Sequence, residues 1–243
     1  FLNAMTYPDK TVYPVASCNE KDFQNLMDVY MDAVLHPNIY KHEEIFRQEG
    51  WNYHLEEADG ELSYNGVVYN EMKGAFSSPD GVLDRMILNS LFPDTTYANE
   101  SGGDPDVIPE LTYEEYLNFH RTYYHPSNSY IYLYGNMDME EKLAFLDEHY
   151  LSHFDYLDVD SVIQEQKAFG ACQDVTLEYP VAENEGEEDN TYLSYNMVVG
   201  NAADSQMAMA FEVLDYALLS APGAPLKQAL LDVKAGKDVY GSY

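Results

Sequence analysis

Apolar side chains recur along this chain at two spacings, and the switches between them mark out its elements. Thr11-Val12-Tyr13-Pro14-Val15-Ala16 reads as a strand, with Pro14 placing it at an edge or a bulge. Phe23, Leu26, Met27, Tyr30 and Val34 share one helical face, which Ser17-x-x-Glu20 opens as a capping box and His36-Pro37 closes. A short helix follows over 43–48. Trp51, Tyr53 and Leu55 then alternate toward Asp59-Gly60, the pattern of a strand or a hairpin turn before the next helix. Spans 66–76 and 80–91 read as helices separated near Pro79, and 97–109 as a loop. Thr112-x-x-Glu115 caps a helix through Tyr123. The run Tyr130-Ile131-Tyr132-Leu133-Tyr134 makes 129–135 a strand, with a helix over 139–150 after it. Residues 155–170 are acidic and weakly patterned, as a linker would be. Strands are expected at 175–179 and 192–199 around an acidic turn over 183–190, then helices over 205–219 and from Pro225. This irregular order predicts an α+β fold, a mixed or antiparallel sheet with packed helices, rather than a doubly wound parallel sheet.

Composition supports a packed core: 46% of the 243 residues are apolar, and 23 are tyrosine. Twelve Lys and Arg face 43 Asp and Glu, a formal charge of −31 that argues against nucleic acid and anionic membranes as partners. Basic peptides suit that balance better, or no electrostatic partner at all. Cys18 and Cys172 form no CxxC pair, so neither a disulfide framework nor a thiolate metal site is expected, in keeping with a reducing compartment. No apolar run has the length of a membrane span, and residues 1–16 do not read as a signal peptide. Phe1-Leu2-Asn3-Ala4 leads directly into a strand, which reads as an excised segment, and the end at Tyr243 is expected to fall inside an incomplete domain.

Candidate chemistry centres on Leu62-Ser63-Tyr64-Asn65-Gly66-Val67-Val68-Tyr69-Asn70-Glu71-Met72-Lys73-Gly74. Glu71 sits among Val67, Val68 and Met72, so it is expected to be buried, with a partly exposed helix carboxylate as the other reading. A carboxylate taken out of water costs several kcal/mol unless it is paired. Lys73, Arg85 or a metal ion are the candidate partners. Other motifs carry less. His42-Glu43-Glu44 lacks a second His, because Phe46 occupies the required position, and His120-x4-His125 straddles a helix end; both read as structural. Asp155-x-x-Asp158-x-Asp160 lacks the glycine and terminal glutamate of a calcium loop and reads as a solvated charge run. Ser101-Gly102-Gly103 reads as a glycine-rich surface loop, with an anion nest as the rival.

The chain resembles the insulinase/pitrilysin zinc metallopeptidases, and most closely their presequence-protease and falcilysin branch. The words that carry the resemblance are Asn3 through Ser17, Gly66 through Gly74, Ser101-Gly102-Gly103-Asp104-Pro105, Phe119-His120-Arg121-x-Tyr123-Tyr124-His125-Pro126-Ser127-Asn128 and Pro222-x-x-Pro225-Leu226, in order over essentially the whole chain. The resemblance implies a His-x-x-Glu-His helix that supplies two zinc ligands and a general-base glutamate, with a distal glutamate as third ligand. By motif position that ligand is Glu71. It also implies a peptide docked along an edge strand, with Asn3 and Ala4 as its counterparts here. The His-x-x-Glu-His word is absent from these residues and would lie upstream of Phe1, so no catalytic residue is assigned here. Some branches carry an acid seven positions before the ligand glutamate, where Tyr64 stands in this chain.

The resulting expectation is a processing-peptidase/insulinase-type domain over 1–153 that lacks its zinc-motif portion, a linker over 154–170, and the start of a second, non-metal-binding α+β domain over 171–243. The parent would hydrolyse internal bonds of short unfolded oligopeptides with one zinc ion, inside a chamber closed by its second half. The segment alone would be inactive and hold no stoichiometric zinc. The alternative is a non-catalytic peptide-binding or assembly subunit of the same fold. A bacterial parent would be cytoplasmic, a eukaryotic one at home in an organelle lumen.

Overall fold

A computed structural model describes residues 1–182, 186, 188, 190–234 and 236–243. Most of the expected acidic turn over 183–190 lies outside the described residues. The chain divides into two compact units, 1–194 and 195–243.

In the first unit, β1 (Met5–Thr6) pairs antiparallel with β2 (Thr11–Val12), with Met5 opposite Val12. A Leu2–Val15 bridge and a 3.1 Å bond from the Asn3 amide to the Pro14 carbonyl lengthen this hairpin. Helix α1 (Glu20–Leu35) is capped by Asn19, not by the expected Ser17: the Asn19 side chain accepts from the Asp22 amide at 3.0 Å. The cap must be the extended residue immediately before the first helical one, and that is position 19. After α2 (Glu43–Glu49) come β3 (Asn52–His54), where the alternation of Trp51, Tyr53 and Leu55 suggests a strand, and β4 (Ser63–Asn65), antiparallel to it with Tyr53 opposite Tyr64. Then follow α3 (Val67–Ala75), α4 (Pro79–Leu91), α5 (Tyr113–Tyr123) with its reciprocal Thr112–Glu115 capping box, and α6 (Met139–His149).

The core that positions the site is Phe46, Trp51, Met72 and Ile108, with Tyr69, Ala75, Phe76 and Tyr113 against it. Burial of side chains this size stabilises by about 1.5–3 kcal/mol each. The Trp51 indole also donates to the Leu111 carbonyl at 2.9 Å, so α2, β3, α3 and the entry to α5 converge on one ring.

Three expected strands do not form. Segments 129–135, 175–179 and 192–199 make no ladder with any described residue. Their alternation is genuine, but a strand exists only when another edge satisfies its amides and carbonyls. The weakly patterned stretch after α6 belongs to the first unit and bonds to it at three places. The Leu157 amide donates to Ser127 Oγ (3.2 Å), Ser161 Oγ to Asn128 Oδ1 (2.6 Å), and Gln166 Nε2 to Asp94 Oδ2 (2.8 Å).

In the second unit, α7 (Ser205–Asp215) is capped by Asp204 and widens into a π-helical turn at Tyr216–Ser220, so the expected single helix over 205–219 changes pitch. Helix α8 (Pro225–Asp232) follows. With eight α-helices and two small antiparallel strand pairs among the described residues, the chain is α+β. No helix of the described residues is long and apolar enough to cross a membrane.

Candidate functional site

Helix α3 is set by the turn that precedes it. Gly66 has φ +150°, and a Cβ there would overlap the Gly50 carbonyl, so only glycine lets β4 deliver the helix this close to β3. The Tyr69 amide closes the same junction by donating to the Gly50 carbonyl at 3.3 Å. From this start Tyr69, Met72 and Phe76, spaced three and four apart, face the core.

Glu71 therefore lies elsewhere, and the expectation of a buried acid is corrected. Val67 and Val68 precede Glu71 by four and three residues and share its face, and that face is open: Val67 is 52% and Val68 36% exposed, and Glu71 is exposed with them. Met72, one residue on and about 100° further round the helix, is buried. The sequence pattern had merged two faces into one. Neither proposed cation reaches Glu71, whose carboxylate makes no hydrogen bond or ion pair with any described residue. Tyr64, seven residues earlier, is on β4 rather than on the helix. Its ring packs edge-on to Trp51 at 5.9 Å and to Tyr69 at 5.9 Å.

Arg85 instead fastens the far end of α3. Its Nη1 donates to the Ala75 carbonyl (2.9 Å) and to the Gly81 carbonyl (3.0 Å), and its guanidinium lies 4.7 Å from the Phe76 ring centre. Nε stands 2.9 Å from Glu100 Oε2, an ion pair rather than an aligned hydrogen bond. Both side chains are mostly buried, at 22% and 17% exposure. The other Glu100 oxygen accepts from the Gly102 amide at 3.3 Å, so a carboxylate from the chain itself fills the turn considered as an anion nest. Gly102 rests on the Met72 sulfur, where a Cβ would collide. Nothing in the spacing of Arg85 and Glu100 signalled this clamp.

Asn3 and Ala4 lie on the hairpin's outer strand and are exposed. The Asn3 amide points inward to Pro14, so the Ala4 amide points to the free edge, where the Asn3 side chain accepts from it at 2.9 Å. Asparagine thereby blunts the edge with a bond that a peptide carbonyl could replace. No hydrogen bond or ion pair joins this hairpin to Glu71.

The histidines considered as ligands are structural. His120 Nε2 lies 2.9 Å from the Val34 carbonyl and Nδ1 2.7 Å from the Tyr40 hydroxyl, which makes Nε2 the protonated nitrogen and Tyr40 the donor to Nδ1. Burial pushes its pKa down, although the bond to Val34 opposes the shift. His125 Nδ1 accepts from the Ser127 amide at 3.1 Å. No group of three His, Cys, Asp or Glu among the described residues could hold a metal ion. Glu71 is a free donor, but these residues do not by themselves fit a zinc centre.

Comparison with known proteins places this geometry in context. Residues 110–243 match the family described as Peptidase M16 inactive domain, so the α3 face and the hairpin edge lie outside the matched segment. Protein HypA of Clostridium perfringens is 59% identical over the whole chain, which covers 25% of that relative. Presequence protease 1, chloroplastic/mitochondrial, of Arabidopsis thaliana is 43% identical over the whole chain and 23% of its own length. The mitochondrial presequence protease of Drosophila melanogaster is 39% identical over 96% of the chain and 23% of its own length. The chain thus spans about a quarter of the length of the curated relatives it matches.

Proposed function

Because this chain belongs to the peptidase M16 family, we propose that it is part of a zinc-dependent metallopeptidase and supplies one metal ligand, Glu71, together with a peptide-docking edge at Asn3 and Ala4. The observation that carries the proposal is a carboxylate with no partner among the described residues, on an open face of a helix anchored at both ends. Acids at the surface are common; an unpaired one flanked by exposed valines on so firmly held a helix suits a group that receives its partners from elsewhere. The remaining ligands and the general base would come from outside these 243 residues.

The substrates would be unfolded oligopeptides, cut at internal bonds inside a chamber that the rest of the parent closes. The formal charge of −31 supports basic peptides over acidic ones. The region over 171–243 would begin a second α+β domain that binds no metal. A bacterial relative and organellar ones support a parent working in the cytoplasm or in an organelle lumen. The 243 residues alone would hold no stoichiometric zinc and cleave nothing.

The test is hydrolysis of matched basic and acidic peptides by the full-length protein, with and without a chelator. Chelator-sensitive cleavage that is faster on the basic peptide is expected. Equal rates would remove the charge preference, and chelator-insensitive cleavage would remove the metallopeptidase. The second reading, a non-catalytic peptide-binding subunit, draws on the match of residues 110–243 to a domain described as inactive. It predicts peptide binding without cleavage.

A further inference from the structure

We propose that Tyr97, with Thr96 beside it, is a positioning residue for peptide docking, holding the β1–β2 turn so that the free edge keeps one orientation. This deepens the docking reading above and rests on it. A two-stranded hairpin is marginal by itself, so the direction of its edge depends on what grips it. Phe1, Asn3 and Tyr7 turn their backbone groups toward the partner strand, which leaves those of Leu2, Ala4 and Thr6 facing outward.

Two tethers grip the hairpin. Near its open end, the Tyr13 and Tyr124 hydroxyls share a hydrogen bond at 2.8 Å. At the turn, Tyr97 Oη donates to Asp9 Oδ2 at 2.9 Å and Thr96 Oγ1 to the Pro8 carbonyl at 3.2 Å. Lys10 Nζ, 3.1 Å away, occupies the other Asp9 oxygen. Burial would raise the Asp9 pKa, but the bonds from Lys10 and Tyr97 outweigh it and hold the carboxyl below its ordinary value.

Tyr97 is itself fixed. Asn89 Nδ2 donates to its carbonyl at 2.7 Å, its amide donates to Thr95 Oγ1 at 3.2 Å, and its ring centre lies 5.5 Å from that of Phe92. Asn89 is on α4, the helix whose Arg85 grips the last turn of α3. One helix therefore roots both the hairpin turn and the element that carries Glu71. With the turn released, the hairpin would hang from Tyr13 and its edge could pivot.

The experiment measures binding of a fluorescein-labelled unstructured peptide to the full-length protein by anisotropy, alongside kcat and melting temperature. Tyr97→Phe removes one hydroxyl and is expected to weaken binding about five- to tenfold, with kcat within about twofold, the signature of lost uniform binding. Asp9→Ala should do the same. Asp9→Asn, which keeps an acceptor for Tyr97, should recover most of the affinity; a merely structural tether would lower the melting temperature without this pattern. Ala4→Pro, which deletes the outward amide, separates the two ideas. If Ala4→Pro weakens binding and Tyr97→Phe does not, the positioning role is wrong and edge docking stands. If Ala4→Pro leaves binding unchanged, edge docking fails, and the role of Tyr97 falls with it.

Discussion

Two tyrosine-bearing stretches of alternating pattern meet different ends in this molecule. Tyr53 and Tyr64 face each other across the β3–β4 ladder, ring centres 5.6 Å apart, close to Trp51. Tyr130, Tyr132 and Tyr134 alternate as regularly, yet they stand in solvent on a segment with no ladder partner among the described residues. The first pair needs only a turn at Asp59-Gly60 to close; pairing for the second must come from a distant edge. Alternation thus encodes readiness to pair, and sequence distance decides whether the partner is local. Glu71 belongs to the locally complete region, since α3 is oriented by Phe46, Gly50, Trp51, Arg85, Gly102 and Ile108, all within the same unit.

The comparison is broken most forcefully at Trp51. Trp51→Ala empties the core and forfeits the bond to Leu111, and should cost about 3–5 kcal/mol in a urea titration of the first unit. Tyr132→Ala, on the unpaired segment, should fall within about 0.5 kcal/mol of the parent chain. Equal losses at both positions would mean that the two stretches are equally packed. Arg85→Met comes next, at about 2 kcal/mol, from the loss of charge-assisted bonds to Ala75 and Gly81 and of the Glu100 pair. Circular dichroism should show the helices retained while the α3 amides exchange faster; unchanged exchange would mean that the clamp does not hold α3.

The smallest effect is one of pH. Burial depresses the His120 pKa below its ordinary 6.5, so the unfolded chain binds that proton more tightly than the folded one. The folded side therefore keeps its full advantage above pH 6.5 and loses it as the pH falls below that value. The groups facing the ring are Tyr40, the stacked Tyr124 and the Val34 carbonyl, whose bond to Nε2 opposes part of the shift. Denaturant midpoints should decline from pH 7 toward pH 5.5, and His120→Gln should flatten that decline. A slope unchanged in the variant would assign it to other groups.

Much of the fold was legible because its signals are local. The Thr112–Glu115 box, the turn at Asp59-Gly60 and the helix start after Gly66 each lie within a few residues of what they specify. The cap of α1 was misplaced by two positions because Ser17 and Asn19 both carry suitable oxygens, and only the backbone at 19 decides between them. The face of Glu71 was misread because valines beside an acid look like core, whereas the buried stripe runs through Tyr69 and Met72. The Arg85–Glu100 clamp and the Tyr97–Asp9 tether were invisible, since neither pair has a spacing that any periodicity rule detects.

The open carboxylate of α3 is proposed as a metal ligand of the complete protein. Zinc affinity of the full-length protein, compared with its Glu71→Gln variant by competition with a chromogenic chelator, tests it most directly. A loss of more than about a hundredfold is expected, because even supporting groups around a zinc ion are worth about 10–100-fold. Identical affinity in the two proteins, both folded, would contradict it.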